Sequence, residues 1–93
     1  MTFAVIDSSN WDKEDYMTFA RDYNNYVLQV LWMNLTQKQR GYHRNIVKSL
    51  SEITIVLASS GPRLRKRQKQ QLGALVCSCN LNAIGLFKEM MGQ

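Results

Sequence analysis

Apolar residues recur along most of the chain at intervals of three and four, the spacing that gathers side chains on one face of an α-helix. Tyr16, Phe19, Ala20, Tyr23, Val27, Val30 and Leu31 form the first such series. Ser8, Ser9 and Asn10 precede it as candidate N-caps, and Asp12, Glu14 and Asp15 suit the positive end of a helix dipole. A helix is therefore expected over residues 11–33. Tyr42, Ile46, Leu50, Ile53 and Leu57 form the second series, and Thr36 followed three residues later by Gln39 has the form of a capping box. A second helix is expected to start there and to end near Ser59.

Gly61 followed by Pro62 is the strongest punctuation in the chain, because glycine tolerates a helix-ending conformation and proline favours the first turn of the next helix. A third helix is expected from that point, with Leu72, Leu75, Val76, Cys79, Ala83, Leu86, Phe87 and Met90 as its apolar stripe. Asn80 or Asn82 could cap a separate last helix and raise the number to four. Residues 2–6 are rich in β-formers, but with no second strand to pair with they are expected to pack as an arm. The pattern thus predicts an all-α fold, a small bundle of three or four helices with a short extended N-terminal arm, in a single helical domain over residues 1–93.

Composition narrows this reading. A chain of 93 residues buries only about 60–65% of the surface that its unfolded form exposes, so self-association would add useful burial. The first seven residues lack a basic n-region, and no stretch approaches the roughly 18 apolar residues that a membrane span needs. A soluble, cytoplasmic protein is expected. Cys77 and Cys79 are two residues apart, which on a helix turns their side chains roughly 200° from each other and prevents a bridge within the chain. Free thiols fit a reducing compartment.

Charge changes the picture most, because the net value of +5 is unevenly spread. Residues 1–24 hold Asp7, Asp12, Glu14, Asp15 and Asp22 against Lys13 and Arg21, leaving minus three. The remainder holds ten Lys or Arg against Glu52 and Glu89, leaving plus eight. Such asymmetry points to a polyanionic partner, or to oppositely charged surfaces that meet within the fold or across a dimer. Arg40, Arg44 and Lys48 follow one another at four-residue steps on the side of the second helix away from its apolar stripe. They form a ridge that could straddle phosphates, although a charged outer face is the ordinary state of a surface helix. Arg63, Arg65, Lys66, Arg67 and Lys69 are more informative, since cations at the start of a helix sit at the positive end of its dipole. An anion bound by the free amides and the guanidinium forks would relieve that conflict, as would neutralisation by the acidic first helix.

The two basic groups are expected to stay apart. Arg44 lies 16 residues before Ser60, on the order of 24 Å along an α-helix. The helix after Pro62 begins with charge in every direction and offers no reading face, so contacts with nucleic-acid backbone are expected over sequence-specific readout. Tyr26, Trp32, Met33, Leu81, Ile84 and Met91 are apolar positions beyond what a three-helix core can cover, and they point to a homodimer or to docking on a larger protein.

Catalytic chemistry finds no support. His43 is the sole histidine, with no Cys, Asp or Glu at metal-ligand spacing, and no nucleophile stands beside an evident base. A non-enzymatic protein without metal or cofactor is expected, binding DNA or RNA through its basic helix start. The alternative is an inhibitor or adaptor that docks on a larger enzyme or nucleoprotein complex.

Overall fold

The computed structural model describes residues 6–30 and 34–92. These fold as three helices, α1 (Lys13–Val30), α2 (Gln37–Ser59) and α3 (Lys66–Met91), with no strand among the described residues. The expected arm falls mostly on residues 1–5, outside the described ones, as does the last turn expected of the first helix. A fourth helix does not form: α3 runs unbroken through Asn80 and Asn82. Asn80 is buried instead and accepts a hydrogen bond on Oδ1 from the Tyr23 hydroxyl at 3.1 Å. Asn82 donates back to the Ser78 carbonyl at 2.8 Å and so stays within the helix.

Each start has its own local cause. The cap of α1 is Asp12, with Ser8, Ser9 and Asn10 in the turn before it. Asp12 Oδ1 accepts from the Asp15 amide at 3.0 Å, and Asp15 Oδ2 accepts from the Asp12 amide at 3.1 Å, a reciprocal box built from two carboxylates. Thr36 and Gln39 close the expected box on α2, at 3.2 and 2.9 Å. The third helix starts later than expected. Pro62 lies in the connection, residues 60–65, and Arg65 occupies the N-cap.

The connection is short, so α2 and α3 run antiparallel and in register. Lys38 meets Glu89, Asn45 meets Asn82 and Ser49 meets Ser78, each advance along α2 matched by an equal retreat along α3. At the same register Gly85 admits the Tyr42 ring: a methyl group there would lie 2.5 Å from Cε1. The α1 helix lies antiparallel to α2, with Lys13 near Ser60 at one end and the His43 ring near the Val27 carbonyl, at 3.3 Å, further along. A carbonyl can only accept, so His43 Nε2 carries the proton. Between the helices sit Tyr16, Phe19, Val30, Ile46, Leu50, Ile53, Leu72, Val76, Cys79, Ala83 and Leu86, all buried. Trp11, Tyr16, Phe19, Tyr23 and Tyr26 extend this core as a chain of ring contacts, with centroids 4.3 to 6.4 Å apart. No helix of the described residues is long and apolar enough to cross a membrane.

Candidate nucleic-acid interface

Two helix ends of opposite polarity meet at the connection between α2 and α3, and the chain treats them differently. The carbonyl end of α2 is closed. Ser60 Oγ donates to the Leu57 carbonyl at 2.9 Å, Ser59 Oγ to the Ile55 carbonyl at 2.9 Å, and Lys13 Nζ to the Ser60 and Gly61 carbonyls at 3.3 and 3.2 Å. An ammonium group suits the negative end of a helix dipole. Lys13 is therefore a structural clamp between α1 and α2, a role that its place in the sequence does not announce.

The amide end of α3 stays open. Gln68 Oε1 accepts from the Arg65 amide at 2.9 Å, but the N-cap side chain is a guanidinium, which can only donate. Arg63, Arg65, Lys66, Arg67 and Lys69 cluster around this end, and all five are exposed. Among the described residues the ion pairs within 4.0 Å are Arg21 with Asp22 and Lys38 with Glu89, so none reaches the cluster. Two acids that line hollows with members of the cluster, Asp12 and Asp7, are committed locally. Asp12 serves as the cap of α1, and the Asp7 carboxylate accepts from the Ser9 amide at 3.0 Å, a hydrogen bond that holds its pKa below the ordinary carboxylate value. They still face the cluster at longer range. Asp12 shares a hollow of about 190 Å³ with Arg63 and Lys69, and Asp7 lines another with Lys66 and Lys69. Arg65 and Arg67 line neither hollow.

Arg40, Arg44 and Lys48 are exposed on the outer side of α2, in the half of the helix remote from the connection. The fold does not merge them with the cluster at the start of α3. The apolar candidates divide as well. Leu81 and Met91 stand out from α3, 61% and 71% exposed, whereas Ile84 is half-buried and Tyr26 packs against the core. Trp32 and Met33 lie outside the described residues. Leu28, part of the apolar surplus at the end of the first helix, is exposed too, and three further exposed apolar side chains, Met17, Val47 and Ile55, were not singled out by the sequence pattern. Met17 borders a groove of about 590 Å³ between α1 and α2, floored by Ala20 and Leu57.

Among the described residues no three His, Cys, Asp or Glu side chains are placed to hold a metal ion. No protein-family model matches the chain, and neither a curated protein nor a solved structure matches it.

Proposed function

We propose that the chain is a non-enzymatic accessory protein that binds the phosphate backbone of DNA or RNA at the start of α3. The observation that carries this reading is the open amide end of α3 ringed by Arg63, Arg65, Lys66, Arg67 and Lys69, exposed and, among the described residues, without an ion pair. Cations at the positive end of a helix weaken the isolated helix, and phosphate oxygens between the amides and the guanidinium groups reverse that penalty. Arg40, Arg44 and Lys48 offer a second contact to a strand long enough to reach along α2. Backbone contacts position a protein without reading bases, so little sequence preference follows.

Fluorescence anisotropy of labelled DNA and RNA tests the proposal. If about five phosphates are neutralised, affinity falls on the order of several hundredfold between 50 and 200 mM salt. Replacing Arg63, Arg65, Lys66 and Arg67 together by Ala abolishes binding, and replacing Arg40, Arg44 and Lys48 weakens it. Absence of binding at low salt, or binding that survives the fourfold replacement, overturns the proposal. The second reading, an inhibitor or adaptor docking on a larger protein, is favoured by the exposure of Leu81 and Met91, and its affinity would barely respond to salt.

A further inference from the structure

The outer side of α3 carries a regular series. Starting from Ala74 it steps by three to Cys77, by four to Leu81, by three to Ile84, by four to Lys88 and by three to Met91. Ala74, Cys77, Leu81 and Met91 are exposed and Ile84 is half-buried, while Leu72, Val76, Cys79, Ala83 and Leu86 of the same helix face the core. Alternating steps of three and four average 3.5 residues, the period that keeps a seam in line with a second helix of the same period. The sequence around the seam is unusual for a surface helix. Residues 70–87 contain no charged side chain, although the outer side of such a helix ordinarily carries its charges.

We infer that this seam is the interface of a homodimer in which two copies of α3 lie antiparallel. Charge selects the partner. The chain carries +5, and both the outer side of α2, with Arg40, Arg44 and Lys48, and the basic cluster at the connection would repel a copy of themselves. The neutral stretch of α3 is a surface that meets its own copy without that cost, as a two-fold interface requires. Charge also selects the direction. A parallel pair would set Lys88 against Lys88 and the two basic helix starts side by side. An antiparallel pair keeps the two Lys88 side chains, and the two basic helix starts, at opposite ends of the seam. The seam from Ala74 to Met91 is about 26 Å long, at the small end of specific interfaces, so the dimer is weak and its population depends on concentration.

Sedimentation equilibrium of the full chain, without nucleic acid, tests this independently of the proposed function. Reversible dimerisation is expected, with Leu81→Lys and Ala74→Lys each raising the dissociation constant about tenfold or more. Ile55→Lys, on α2 and 66% exposed, should leave it unchanged. Circular dichroism establishes that each variant keeps its helices, and Ala74, already exposed, provides a substitution that folding tolerates. Direction is read with pyrene attached at Gly92→Cys in a Cys77→Ser chain, where an antiparallel dimer holds the labels at opposite ends and gives no excimer emission. A monomer at every concentration, or an Ile55→Lys effect equal to that of Leu81→Lys, overturns the interface. Excimer emission overturns the antiparallel direction. None of these outcomes bears on whether the basic cluster binds phosphate.

Discussion

The Tyr42 ring of α2 packs against Gly85 of α3, and the fit depends on a missing methyl group. A Cβ at Gly85 would meet Tyr42 Cε1, Cζ and Cδ1 at 2.5 to 2.9 Å, well inside contact distance. Two effects then oppose each other in Gly85→Ala. Alanine favours the helix by about 1 kcal/mol, and overpacking costs about 1–3 kcal/mol. The substitution should destabilise the protein when Tyr42 is present and stabilise it when Tyr42 is also replaced by Ala. A double-mutant cycle by urea unfolding measures this, and additive effects would show that the ring swings aside freely. Buried polar residues behave in a comparable pairwise way. Gln39 accepts from the Thr36 amide, Ser49 donates to Ser78 at 3.3 Å, and Asn80 accepts from Tyr23. A pattern that counts apolar positions cannot find Ser49 or Asn80, because each is tolerated inside by virtue of a partner on another helix, whereas the partner of Gln39 lies three residues away.

At the scale of the elements, the most exposed dependence is that of α1 on the end of α2. Lys13→Met keeps an unbranched stem but removes both hydrogen bonds to the Ser60 and Gly61 carbonyls, so a loss of about 0.5–1.5 kcal/mol is expected. Thermal unfolding of that variant checks it, and an unchanged midpoint would mean that water replaces the ammonium without cost. Lys13 also shows where sequence reading stops. Helical periodicity reveals all three helices, and the Thr36 and Gln39 pair fixes the start of α2, because these signals lie within one turn of chain. The cap of α1 was obscured by three equally good candidates just upstream, and Pro62 drew the expected start of α3 too early. The basic residues of the candidate site were legible as residues. That Lys13 would serve carbonyls 47 and 48 residues away is a property of the assembled helices.

For the whole molecule, the core sets a limit on alkaline stability. Burial pushes the Cys79 thiol up to about 12 from its ordinary 9.0, and burial first, with the neighbouring Cys79 second, pushes the Tyr23 phenol up to about 12 from 10.0. Both groups are neutral in the folded protein at pH values where the unfolded chain has already lost their protons. The stability that depends on keeping these two groups neutral is therefore fully present below about pH 9, and it declines as pH rises from about 9 towards about 12. Urea midpoints measured across that range should fall, and Cys79→Ala should flatten the first part of the fall. An equal slope in that variant would remove the thiol from the explanation.

The molecule measures 43 × 21 × 17 Å, and its long axis follows the antiparallel pair of α2 and α3. Such a body turns faster about its length than end over end. Backbone N–H bonds of α2 and α3 point nearly along the long axis, so spinning about that axis leaves them in place and their nuclear relaxation reports end-over-end tumbling almost alone. A partner laid alongside α3 would thicken the rod and slow chiefly the spin about its length, whereas a partner at the connection would lengthen it and slow the tumbling. Rotational diffusion thus distinguishes the two surfaces by the axis that each one brakes.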